Sequence, residues 1–111
     1  MGEGQGVRAL GGMAMPTYVT LYKFTAHGLK TVKDSPARVQ EVREAFQAAG
    51  AKLVSFYALM GQYDTMIIAE APSDEVIAKL NLLVGSWGNV SSRTMRAFTE
   101  DEWRSLLADI T

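Results

Sequence analysis

Two side chains in this sequence could move protons. Asp64 stands in GQYDTMIIAE (61–70), after a glycine and at the mouth of an apolar run, and His27 is the single histidine. A carboxylate half-withdrawn from water at a strand entrance is a stronger base than a solvated one. Alternation groups Asp64 with Met66 and Ile68, a mostly apolar wall with one polar anchor. The competing reading is structural, because Asp commonly binds nearby backbone groups in turns. His27 could serve as acid or base, or could simply be exposed in a loop beside Gly28. Around these stand residues able to hold a ligand: Thr20, Tyr57, Tyr63 and the loop 25–33 with Thr25 and Lys33, joined by Lys23. Tyr57 and Tyr63 could equally be a packing pair across a hairpin. Lys23, Lys30, Lys33 and Arg38 surround a helix start at Ser35 and could gather an anion through free backbone N–H groups, or form a solvated face.

Composition removes other chemistries. There are no cysteines, so disulfides, thiolate catalysis and sulfur-ligated metal sites are excluded together,. One histidine cannot build a multi-histidine metal site within one chain,, and no metal or cofactor is expected. The formal net charge is -1 and evenly spread, so there is no electrostatic footprint for nucleic acid,. No segment approaches the ~20 apolar residues of a membrane helix. A length of 111 residues with 48% apolar and 21% charged residues fits one globular domain,. Residues 1–15 hold five of the ten glycines and no periodicity; they read as a flexible leader before a domain at 16–111. A cytoplasmic protein is the default expectation.

The elements that position these residues follow from periodicity. TYVTLYKF (17–24) alternates, with Val19 and Leu21 opposite Tyr18, Thr20, Tyr22 and Phe24,. TAHGLKTVKDSP interrupts it. Ser35 as N-cap and Pro36 at the first helical position open a helix whose apolar stripe is Val39, Val42, Phe46 and Ala49, stopped by Gly50. AKLVSFYAL (51–59) and YDTMIIAE (63–70), joined by a glycine-containing turn, predict an antiparallel hairpin. Ser73 or Asp74 caps a helix to about Ser86 with Val76, Ile77, Leu80, Leu83, Val84 and Trp87 on its apolar positions. NVSSRTMRAF (89–98) is a fourth strand. TEDEWRSLLADI is a terminal helix capped by Thr99, with Trp103, Leu106, Leu107 and Ile110 on one face.

The order β-α-β-β-α-β is the ferredoxin-like α+β arrangement, a four-stranded antiparallel sheet with helices on one face. Yet both faces of the central strands are apolar. Tyr63, Ile67 and Ala69 oppose Met66 and Ile68; Val54, Phe56 and Ala58 oppose Leu53, Tyr57 and Leu59. One layer of helices cannot cover both faces, so a second subunit's sheet is expected to cover the other. The sequence thus predicts a homodimer with sheets packed face to face.

From Pro16 to about Leu107 the chain resembles the GYD domain family. The carrying elements are Gly61-Gln62-Tyr63-Asp64, PTYVTLYKFTAHG, VKDSPAR, AEAPSDE and GNVSSRTMRAFTEDEW. Where the family pattern has a polar pair such as Asp-Gln before Gly28, this chain has Ala26-His27. The resemblance implies a dimeric α+β barrel without a settled activity. Its structural relatives span cofactor-free monooxygenases, haem-dependent peroxidases, chlorite-converting enzymes, lactone isomerases and small-molecule sensors. The leading expectation is a small-molecule-binding dimer with a pocket between sheet and helices. The rivals are a cofactor-independent oxygenase or isomerase using Asp64 or His27 as base, and a structural oligomerisation module.

Overall fold

The computed structural model of the chain describes residues 15–110; apart from Met15, the leader expected at 1–15 lies outside the described residues. The elements in order are β1 (Thr17–Phe24), α1 (Ala26–Lys30), a 3-10 turn (Val32–Asp34), α2 (Ser35–Ala48), β2 (Lys52–Ala58), β3 (Thr65–Glu70), α3 (Asp74–Ser86), β4 (Val90–Ala97) and α4 (Glu100–Ala108). The strands form one antiparallel sheet in the order β2-β3-β1-β4. This is the ferredoxin-like α+β fold expected from periodicity. One helix is additional: α1 occupies the stretch read as an interruption, capped by the Thr25 hydroxyl accepting from the Gly28 N–H at 3.0 Å.

The starts of the helices follow local chemistry. In α3 the Ser73 hydroxyl accepts from the Val76 N–H at 3.3 Å. In α4 Thr99 and Glu102 form a reciprocal capping box,. The start of α2 differs from expectation. Ser35 is already helical and Asp34 precedes it without a side-chain cap, because the 3-10 turn leads straight into the helix and supplies backbone partners instead,. On the stripe of α2, Phe46 is fully buried and Val42 packs at its edge, while Ala49 lies past the helix and is exposed.

Cross-strand rows define the two faces of the sheet. Beneath α2 and α3 run the rows Leu53–Ala69–Tyr18–Arg96, Phe56–Ile67–Thr20–Thr94 and Ala58–Thr65–Tyr22–Ser92. With Phe46, Ile77, Leu80 and Val84 from the helices they make the core. Each large apolar side chain buried there contributes roughly 1.5–3 kcal/mol. The predicted alternation of β2 needs correction: a bulge at Val54 resets the register, so Leu53 faces the core with Phe56 rather than opposing it,. On the opposite face lie the rows Tyr57–Met66–Leu21–Arg93 and Ser55–Ile68–Val19–Met95, and no described element of the chain covers them.

Candidate functional site

The residues predicted to do chemistry divide between a strand end, a loop and the two faces of the sheet. Asp64 extends the β1–β3 ladder: its N–H donates to the Tyr22 carbonyl at 2.9 Å and its carboxylate accepts from the Phe24 N–H at 2.8 Å. Its own carbonyl accepts from the Leu59 N–H at 2.9 Å, closing the hairpin. Lys23, on the uncovered face, donates to the Gln62 carbonyl at 3.2 Å beside it. Tyr63 is half-buried in the same hairpin, and Tyr57 is exposed on the uncovered face. His27 and Lys33 are exposed on α1 and the 3-10 turn. Thr20 is fully buried on the covered face, where its hydroxyl meets that of Thr94 at 2.7 Å, which also accepts from the Asn81 amide at 2.6 Å.

The structure does have a cavity between sheet and helices, built from other residues. About 50 Å³ of free space lies among Tyr22, Phe24, Val42, Phe56, Val84 and Trp87, with Ser35, Arg38 and Asn89 contributing polar groups to its wall. None of Thr20, Lys23, Thr25, His27, Lys33, Tyr57, Tyr63 or Asp64 lines it. Tyr22 is 4% exposed, and its hydroxyl has no hydrogen-bond partner among the described residues. Burial pushes the phenol up to about 12, so it stays protonated and a donor at neutral pH,. Periodicity had placed Tyr22 and Phe24 on the same side of β1, a signal that reads equally well as ordinary packing. The sequence offered one polar pointer, Arg38 next to Ser35.

The wall of the cavity is held by an interlock around Gly28. Thr25 donates its N–H to the Asn89 carbonyl at 3.0 Å and its hydroxyl to the Gly88 carbonyl at 2.7 Å. Gly28 packs so closely that a Cβ there would lie 1.9 Å from the Asn89 oxygen. Arg38 then ties the far side, donating to the Thr31 carbonyl at 3.1 Å, the Thr31 hydroxyl at 2.9 Å and the Gly28 carbonyl at 3.3 Å. Arg38, read from the sequence as a candidate to gather an anion, thus gives these donors to Thr31 and the Gly28 carbonyl while also lining the cavity.

A second set of candidate sites is apolar. The uncovered sheet face presents Val19, Leu21, Met66, Ile68 and Met95 with Tyr57 at its β2 side. The apolar stripe of α4 is exposed along its length, and α4 makes hardly any contact with the other described elements. It is fixed only at its start, where Arg96 lies 4.4 Å over the Phe98 ring and 3.8 Å from the Glu102 carboxylate,. Among the described residues no three His, Cys, Asp or Glu side chains gather as a metal site, and no helix is long and apolar enough to cross a membrane.

Comparison with known proteins gives this geometry its context. The chain is 32% identical over 84 residues to the Glutamine synthetase and cystathionine beta-lyase binding protein of Thermus thermophilus, a match covering 75% of this chain and 88% of that protein. Among solved structures it resembles the leucine response regulatory protein LrpA of Mycobacterium tuberculosis, with a TM-score of 0.58 and 15% identity over 76% of this chain and 51% of that one. It also resembles the protein named MtbAldR, with a TM-score of 0.60 and 12% identity over 77% and 53%. The chain spans about half the length of these two solved chains, and at such identities the likeness concerns the ferredoxin-like fold alone,. The profile of the GYD domain matches residues 18–107, most of the chain: this protein belongs to the GYD domain family.

Proposed function

We propose that this protein is a homodimeric protein-binding module, in which two copies bury their uncovered sheet faces against each other and the dimer docks on other proteins. The observation that carries the reading is the pair of apolar rows on the side of the sheet away from the helices. Four strands at ~4.8 Å and eight residues at ~3.3 Å give a footprint on the order of 500 Å² before side-chain relief is counted. That approaches the ~800 Å² per partner of a standard interface. Left in water, such a patch is an association or aggregation hazard. The relative named for binding glutamine synthetase and cystathionine beta-lyase supports the docking half of the proposal.

Light scattering is expected to report at least about 24 kDa, twice the 12.1 kDa chain, at micromolar concentration,. Immobilised dimer is expected to bind purified glutamine synthetase or cystathionine beta-lyase saturably. Absence of binding to both at ~100 μM would remove these two enzymes as partners, since that affinity corresponds to only ~5.5 kcal/mol.

The Tyr22 hydroxyl favours a second reading, a small molecule held between sheet and helices. The cavity's free space of about 50 Å³ exceeds the ~10–15 Å³ needed for a water and falls below the ~150 Å³ that admits benzene. It suits a ligand of a few heavy atoms carrying one hydrogen-bond acceptor. Native mass spectrometry is expected to find a retained small molecule that Tyr22→Phe loses. An empty protein, with Tyr22→Phe as stable as wild type, would sink this reading and leave the dimer untouched.

A further inference from the structure

Of the residues around the cavity between sheet and helices, Arg38 alone carries a charge; the polar remainder, Tyr22, Ser35, Thr65 and Asn89, is neutral. Arg38 is half-buried and gives its hydrogen bonds to the Thr31 carbonyl, the Thr31 hydroxyl and the Gly28 carbonyl, all uncharged acceptors. Among the described residues its Nε–H has no acceptor, and no carboxylate lies within 4.0 Å of its guanidinium. Asp34 and Glu41, at i−4 and i+3, are exposed and outside the cavity wall. The charge is held in place but not balanced. A half-buried cation is stabilised most by an anion that also accepts its hydrogen bonds.

A second donor comes from the sheet side. Tyr22, on β1, lines the same cavity, is 4% exposed, and its hydroxyl has no partner among the described residues. The wall is otherwise mostly apolar, with Val42, Phe56, Val84 and Trp87 among its residues. Such a lining selects among anions. The free space of about 50 Å³ admits only a few heavy atoms,. Sulfate or phosphate would turn several charged oxygens onto apolar side chains, where unmet acceptors are costly. A short aliphatic carboxylate carries two oxygens on one carbon and an alkyl end, which matches two donors and an apolar lining.

We propose that this cavity binds a short-chain monocarboxylate of the size of acetate or propionate. One carboxylate oxygen accepts from Arg38 and the other from Tyr22, with the alkyl end against Val42, Phe56 and Val84. The proposal rests on the small-molecule reading of the cavity and adds the charge and chemical class of the ligand. It also gives the α1 interlock a purpose: Thr31 and the Gly28 carbonyl fix the guanidinium that the ligand meets. The start of α2, with Ser35 in the same wall, adds the positive end of a 14-residue helix,.

The test is a titration of the full-length Trp103→Phe chain, whose single remaining tryptophan, Trp87, stands in the cavity wall. Trp103 is exposed on α4, so its replacement leaves the cavity as it is,. At an ionic strength fixed with sodium chloride, propionate is expected to change the Trp87 fluorescence saturably at ~1 mM. The neutral isostere propionamide, and sulfate, are expected to bind at least about tenfold more weakly. Propionate is expected to lose at least about tenfold in affinity in Arg38→Gln and in Tyr22→Phe, each made in the same background. Propionamide or sulfate binding as tightly as propionate would overturn the carboxylate assignment, as would either variant binding like its parent. Should Arg38→Gln not fold, the propionamide comparison on the intact chain reads the charge requirement by itself. Absence of any response to propionate would also overturn the proposal, and native mass spectrometry then separates the two claims. A retained neutral molecule would leave the small-molecule reading standing; an empty protein would remove both.

Discussion

α3 and α4 are written in the same sequence language and meet opposite fates. Both begin on a hydroxyl cap, Ser73 and Thr99, and carry acids in the first turn. Both repeat apolar residues at helical spacing. In α3 that stripe is buried on the sheet, with Ile77, Leu80 and Val84 in the core. In α4 no described element covers it. Caps and periodicity specify that a helix forms and which face is apolar; they do not specify whether the cover comes from the same chain. The two faces of the sheet repeat the lesson, since Ile67 and Ile68 are neighbours of like chemistry and only one lies under the helices.

The comparison breaks most visibly at its buried end. Leu80→Ala is expected to cost about 2–5 kcal/mol of chain stability in urea unfolding, whereas Leu106→Ala is expected to stay within ~0.5 kcal/mol. Equal losses at both sites would mean that α4 is part of the folding core. Gly28→Ala comes next, at about 1–3 kcal/mol or more, because its Cβ must displace the Asn89 carbonyl; stability equal to wild type would show that the α1 interlock yields freely. The smallest effect is on pH dependence. Burial and, for Tyr18, the Asp74 carboxylate raise both core tyrosines from 10.0 to about 12. The native state therefore holds protons that the unfolded chain has released between those values, so their contribution is complete below pH 10 and lost as pH rises towards 12,. Alkaline unfolding is expected to be shallower in Tyr22→Phe; an unchanged profile would remove Tyr22 from it.

Much of the fold was legible because its signals are local. The alternation of β1, the glycine turn before β3 and the stripes of α2 and α3 each follow from a few adjacent residues. The failures have one cause, which is that the deciding partner lies far along the chain. The bulge at Val54 inverts Leu53 without any marker such as Gly or Pro in β2. α1 contains a glycine that helix propensity disfavours, and it is there because the Asn89 backbone comes so close. The cavity was harder still. Tyr22, Arg38, Phe56 and Trp87 come from different elements, and the apolar ones look like ordinary core until the unpartnered Tyr22 hydroxyl is seen. Asp64 drew attention as an acid before an apolar run; the fold sets it against the Phe24 N–H, at the point where the hairpin joins β1.

The central claim is that the uncovered sheet face is buried by a second copy, and Ile68→Lys tests it most directly. Ile68 sits in the middle of that face, between Val19 and Ser55 in the cross-strand register, where a lysine is harmless to a lone chain and intolerable in an apolar interface. Sedimentation velocity of this variant beside wild type reads the claim. The account predicts that wild type sediments as at least two chains and Ile68→Lys as one chain of 12.1 kDa with unchanged circular dichroism. Wild type that is already one chain, or an Ile68→Lys variant that remains associated, would contradict it.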